Sequence, residues 1–231
     1  TKKFQSLIVL SAVVSYTNTI MKNSLRQSLV LATQNKDKCK ELESLMAGEA
    51  IRVRSLDEFP KSPAVREDGK TFEANAEKKA RIYSKRTRSL VLADDSGLSV
   101  QVLRGRPGVY SARFAGPGCS YEDNNRKLLR LLRTVPWPKR RATFVCVMSV
   151  FDNGKKIGTV RGKCEGRINF MEKGAGGFGY DPVFIPKGSA KTYAELSAVE
   201  KNRISHRGMA LRKAKRVVLR YLSGLARKPL K

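Results

Sequence analysis

The 231-residue sequence is short of long apolar runs, of cysteine and of acid, and each shortage excludes something. No stretch approaches the roughly 18 to 20 apolar residues that cross a bilayer as a helix, and no low-complexity tract interrupts the chain, so a globular protein without a membrane anchor is expected. Cys39, Cys119, Cys146 and Cys164 are the only cysteines, and their spacing suits neither a zinc site nor a disulfide scaffold. They read as reduced thiols of a cytoplasmic protein. Cys146, inside the apolar run from Phe144 to Val147, reads as a small core residue.

Acid is the scarcest resource: 20 acidic residues face 47 basic ones, a net charge of +27. A surface this positive attracts polyanions, whether nucleic acid, anionic membrane or a nucleoside triphosphate. The excess is uneven, with seven basic residues and no acid from Arg126 to Arg141 and eight with no acid from Arg212 to Lys231. Neither stretch interleaves aromatics as a single-strand binding platform does. Solvated helix faces account for them as well as a binding patch, so nucleic acid is a partner left open without being favoured.

Residues 1–27 carry no acid and hold a short apolar stretch behind Lys2 and Lys3. They resemble a weak targeting segment without a convincing cleavage site, and Met21 is an alternative start. An extension outside the fold is expected there, then one domain over 28–225, then a basic tail over 226–231.

From Ser28 onward, short β-type runs alternate with amphipathic helices, which predicts an α/β protein. Leu29 to Ala32 and Leu90 to Ala93 read as buried strands. Thr143 to Phe151 and Ile157 to Val160, separated by Asp152-Asn153-Gly154, read as a hairpin. After Ser205 a terminal helix places Leu211, Ala214, Val218, Tyr221 and Leu222 on one face.

Five segments carry chemistry. Thr33-Gln34-Asn35-Lys36-Asp37-Lys38 joins a strand to a helix, where free backbone N–H groups form an anion site and a lysine one turn in reaches a phosphate. In the following helix, about 100° per residue brings Lys79 within roughly 20° of Phe72, inside the stripe Phe72, Ala76, Ala80 and Tyr83. A lysine there needs a route to solvent or a buried anionic partner, and periodicity leaves both open. Asp94 and Asp95 end an apolar strand, where one carboxylate can enter a cleft as a Mg²⁺ ligand or general base while the other braces the backbone. The alternative is an Asp-rich turn.

Gly174-Ala175-Gly176-Gly177-Phe178-Gly179 has the letters of a dinucleotide fingerprint but lacks its strand-to-helix context. What remains is a loop presenting Phe178 and Tyr180, suited to stacking on a base or to packing as a lid. Ser205-His206-Arg207-Gly208 places donor side chains at the positive end of a helix, an electrostatic conflict that an anion or acceptor would relieve. Upstream, Ser197 to Glu200 has capping-box spacing, so a short helix should present Lys201 nearby.

In this order the segments resemble the inosine/xanthosine triphosphate pyrophosphatase family from about Leu29 to Leu222. The most specific stretches are Ala93-Asp94-Asp95-Ser96-Gly97-Leu98, the run from Gly105 to Arg113, Gly176 to Pro182, and Ile204 to Gly208. The resemblance implies a two-lobed fold around a long mixed β-sheet with a central nucleotide cleft, usually a homodimer. It also implies Mg²⁺-dependent hydrolysis of ITP, dITP and XTP to monophosphate and pyrophosphate, cleansing the nucleotide pool.

Residue by residue, Thr33, Asn35 and Lys38 match the family's phosphate loop, within which Gln34, Lys36 and Asp37 also fall. Glu67 matches a metal-binding glutamate, and Lys79 a phosphate-binding lysine. Asp95 matches the general base and metal ligand, and Ser96 a substrate contact. Phe178, Gly179, Tyr180, Asp181, Lys201, His206 and Arg207 match nucleotide-binding positions, with donors such as Arg207 facing the 6-position of the base. Gln34 replaces a usual glycine, Ala74 replaces a glutamate common before Asn75, and the basicity exceeds the family norm. Two alternatives are carried forward: a septum-inhibitor-like pyrophosphatase for pyrimidine or modified nucleotides, and a basic nucleic-acid-binding derivative of the fold.

Overall fold

A computed structural model of the protein describes residues 28–33, 35–48, 51–59 and 63–226. The expected extension over 1–27, Gln34 of the phosphate loop, and residues 227–231 of the expected tail lie outside the described residues.

A six-stranded mixed sheet runs β2-β1-β3-β4-β5-β6, built from β1 (Ser28–Leu31), β2 (Arg52–Ser55), β3 (Leu90–Val100), β4 (Arg141–Asp152), β5 (Lys155–Ile168) and β6 (Phe184–Pro186). β2, β1 and β3 are parallel, because helices α1 (Lys36–Met46) and α2 (Phe72–Thr87) carry the chain back between them. β3, β4, β5 and β6 are antiparallel. At the β4–β5 turn Asn153 and Gly154 have φ of 44° and 83°, the two left-handed residues that a type I′ hairpin needs.

The helices are fixed at their ends by short polar side chains. Asn35 caps α1 by accepting from the Lys38 N–H, and Thr71 caps α2 by accepting from Ala74. Helix α3 (Tyr121–Leu131) starts with a Ser120–Asp123 capping box, and α4 (Ala198–Ile204) with a Ser197–Glu200 box. Ser205 Oγ accepts from Gly208 N–H at 3.0 Å at the start of α5 (His206–Ala226).

Apolar side chains fall into separate cores along the sheet. α1 and α5 cover one face with Leu42, Met46, Leu211, Val218 and Leu222 packed against Leu29, Leu31 and Leu92. Fully burying each such Leu or Val contributes roughly 1.5 to 3 kcal/mol. α2 covers the other face, with Ala80 and Tyr83 against Val30 and Val91. Farther along, Leu98, Leu128, Phe144, Phe184 and Tyr193 form the core of a second lobe. Cys146 is fully buried in the first core, as its surroundings in the sequence imply.

β3 departs from expectation in an instructive way. It does not stop at Ala93; it continues through Asp94-Asp95-Ser96-Gly97 to Val100, held by eleven consecutive pairings with β4. The two carboxylates therefore lie in mid-strand, between the lobes, instead of at a carboxyl end. Gly97 is required there, since a side chain would overlap the Ser111 hydroxyl and the Gly108 carbonyl of the packed 3₁₀ turn Gly108–Arg113.

Candidate active site

Between the lobes lies a cavity of about 300 Å³. Its wall brings together Thr33, Asn35, Lys38, Glu67, Lys79, Asp95, Ser96, Phe178, Gly179, Tyr180, Asp181, His206 and Arg207. These come from six separate segments of chain.

At the first wall, the Asn35 cap leaves the α1 N-terminus facing the cavity, and Asn35 Nδ2 donates to the Tyr121 hydroxyl at 3.0 Å. Lys38, one turn in, reaches Asp94 Oδ2 at 3.0 Å. Lys36 is exposed, and the side chains that line the cavity here are those of Thr33, Asn35 and Lys38.

Lys79 is buried, and the open question of its partner is answered by an ion pair: its ammonium donates to Glu67 Oε1 and to the Asp94 carbonyl, each at 2.5 Å. Burial opposes its charge, but Asp94 and Glu67 hold it protonated. Arg113 donates to the Glu67 carbonyl at 3.1 Å, tying the loop that carries this carboxylate to the second lobe.

The adjacent aspartates face opposite sides of the strand and differ in chemistry. Burial disfavours ionisation of Asp94, yet Lys38, Lys79 and Arg207 hold its carboxyl well below the usual range. Asp95 faces the cavity, where Asn75 Nδ2 donates to its Oδ2 and the Ser96 N–H to its Oδ1, both at 2.9 Å. Burial pushes Asp95 up to about 6, with Lys79 opposing and Glu67 adding to the shift. A fixed ion in one position and a proton acceptor poised near neutrality in the next is how a strand separates a brace from a base.

Glu67 and Asp95 both line the cavity. Among the described residues no three His, Cys, Asp or Glu side chains gather into a ready-made metal cage. Two carboxylates lining one cavity fit Mg²⁺, which takes one or two carboxylates and fills its remaining positions with phosphate oxygens and water.

The far wall is built around Arg207, whose guanidinium donates to Glu41 at 2.5 Å and to the Ser96 hydroxyl at 3.1 Å. Lys201 donates to Glu41 at 2.7 Å and to Asp181 at 2.8 Å, so Glu41 joins two cations. Both cations lie over the Phe178 ring, at 5.0 Å for Lys201 and 5.2 Å for Arg207. Lys201 sits behind this wall and does not line the cavity. His206 is stacked on Phe144, with centroids 4.5 Å apart and planes 6° from parallel. Burial, reinforced by Arg207 and Lys201, holds the imidazole neutral, so the expected cation–dipole conflict at the α5 N-terminus does not involve His206. Tyr180 is 5 % exposed and its hydroxyl donates to the Ser111 carbonyl at 2.9 Å, which makes it an anchor of the loop, the packing alternative of the two open for its ring. Gly179 accepts from Asn125 through its carbonyl, and Asp181 accepts the Phe178 N–H.

The sequence profile of the Ham1 family matches residues 29–217. The chain belongs to the Ham1 family. It is 50% identical over 192 residues to the dITP/XTP pyrophosphatase of Desulforamulus reducens, covering 83% of this chain and 96% of that one. It is 48% identical over 183 residues to the dITP/XTP pyrophosphatase of Geobacter sulfurreducens, covering 79% and 92%. The HAM1 protein of Coxiella burnetii superposes with a TM-score of 0.77 at 38% identity, over 84% of this chain and 98% of its own. The Ham1 protein of Staphylococcus aureus gives 0.74 at 37% identity, over 85% and 98%. A Ham1 fold thus frames a cleft to which Glu41, Asn75 and Tyr121 contribute hydrogen bonds, although sequence reasoning gave these three no role in it.

Proposed function

We propose that this Ham1-family chain is an enzyme that hydrolyses the non-canonical purine triphosphates ITP, dITP and XTP to monophosphate and pyrophosphate, removing them before they enter DNA and RNA. The observation that carries the reading is Asp95: a buried carboxylate raised to about 6, facing Glu67 and Lys79 in the cleft.

In this reading Thr33, Asn35 and the α1 N-terminus receive the phosphate chain, and Lys38 and Lys79 offset its charge. Asp95 orients and accepts a proton from the water that attacks the α-phosphorus, opposite the departing pyrophosphate. Bound Mg²⁺, held by Glu67 and Asp95, would supply Lewis-acid neutralisation of the phosphate oxygens. Asn75 fixes the Asp95 rotamer.

Base choice falls to the far wall. Phe178 offers a ring for stacking, and Arg207, 5.2 Å over that ring, lines the cavity beside it with His206. A 6-oxo purine supplies an acceptor to a donor there, whereas the 6-amino group of adenine leaves it unsatisfied, a mismatch large enough to discriminate. Ser96, Asp181 and Lys201 hold these groups in place.

A homodimer of one two-lobed domain, acting in the cytoplasm, completes the reading. Free thiols at all four cysteines support a reducing compartment. A pyrophosphate-release assay with Mg²⁺, comparing ITP, XTP, ATP, GTP and TTP at equal low concentration, tests the assignment. Preference for ITP and XTP upholds it, and activity confined to TTP would transfer the protein to the septum-inhibitor-like pyrophosphatases.

A further inference from the structure

A second cavity, of about 650 Å³, lies beyond the end of the cleft and shares no residue with it. Its floor is the sheet face opposite the second-lobe core, where Arg141, Thr143, Glu165 and Arg167 project while Ala142, Phe144, Cys164 and Ile168 point inward.

The charges there are arranged at a cost. Arg141 and Arg167 stand directly opposite one another on β4 and β5, a like-charge pair that destabilises a ladder unless something intervenes. Among the described residues neither forms an ion pair, and Lys187, from the rim, forms none either. Arg167 is held over the Trp137 ring at 5.4 Å, and its guanidinium makes no hydrogen bond or ion pair among the described residues. Glu165 on the same face offsets one of the three charges and leaves the cavity positive.

We propose that this cavity is a second anion site, which takes a phosphate-bearing small molecule of the phosphomonoester or pyrophosphate class. Arg141 and Arg167 present guanidinium forks suited to a terminal phosphate, with Lys187 as the third charge. The concave floor favours a terminal phosphate group over the phosphodiester run of a nucleic acid, and its volume falls in the range of small-molecule sites.

Trp137 lines this cavity and is the only tryptophan of the chain, so its fluorescence reports this site and not the cleft. The full-length protein is titrated with inorganic pyrophosphate, a purine nucleoside monophosphate and a single-stranded oligonucleotide, with sodium chloride at matched ionic strength as control. The expected result is a saturable change with pyrophosphate or the monophosphate, weakened about tenfold or more in Arg141→Gln, and likewise in Lys187→Gln, with nucleotide turnover within about twofold of wild type. An absent change, a curve reproduced by sodium chloride, or affinity unaltered in both variants would overturn the proposal. A response to the oligonucleotide alone would overturn it in favour of a nucleic-acid surface.

Discussion

Asn75 donates its side-chain amide to Asp95 Oδ2 at 2.9 Å across the contact between α2 and β3, and both groups are buried. The bond fixes where the carboxylate points but does not offset its desolvation, since Asp95 still rises to about 6. A carboxyl whose folded value exceeds its unfolded one favours the fold when protonated, and that contribution is lost as pH rises from about 4 through 6. At pH 7.5 the ionised group costs about 2 to 3 kcal/mol. Asp95→Asn in chelator should therefore melt several degrees above wild type at pH 7.5, with the gap closing toward pH 4. A gap independent of pH would show that Asp95 is not raised.

His206 titrates with the opposite sign. Its imidazole is held neutral by burial, so its contribution to stability is complete above about pH 6.5 and is lost below it as the unfolded chain takes up the proton, at up to about 1.4 kcal/mol per pH unit. His206→Phe keeps the stack on Phe144 and removes this proton. Melting curves between pH 7.5 and 5 should fall less steeply for the variant than for wild type; parallel curves would contradict the assignment.

Glu41 neutralises Lys201 and Arg207 together from α1, and its side chain is only 17% exposed. Replacing it by Gln leaves Lys201 paired with Asp181 and leaves Arg207 without its ion pair, facing only the charge of Asp94. A loss of about 3 kcal/mol in stability is expected from chemical denaturation, together with a raised KM for ITP, because Arg207 loses its anchor. Unchanged KM would mean that Arg207 does not face the base.

Gly162 on β5 admits the first turn of α5, since an added Cβ would overlap the His206 carbonyl and crowd the Ala210 N–H. Gly162→Ala should push the helix off the sheet, costing about 1 to 3 kcal/mol, and should lower turnover by displacing His206 and Arg207. A variant with wild-type kinetics would show that the helix start can shift without effect on the site.

Much of this was legible in the sequence where local chemistry and tertiary structure agree. The Asn153-Gly154 turn set the hairpin, and the charge within the Phe72 stripe pointed to Lys79, whose partner proved to be Glu67. Legibility failed where long-range pairing decides. Asp, Ser and Gly are poor strand formers, so β3 seemed to end at Ala93, yet pairing with β4 carries it on to Val100. Glu41 looked like any polar residue on an exposed helix, since its partners lie 160 and 166 residues away. Tyr180 sat in a glycine-rich loop that suggested a presented ring, and only the Ser111 carbonyl, 69 residues earlier, shows it to be buried.

The most direct test of the central claim is pyrophosphate release from ITP by Asp95→Asn, measured with Mg²⁺ beside wild type after both are shown to be folded. Asp95 as the proton acceptor predicts a loss of about a hundredfold or more in kcat with the fold intact. Turnover of ITP at the wild-type rate would contradict it and remove Asp95 from the chemistry.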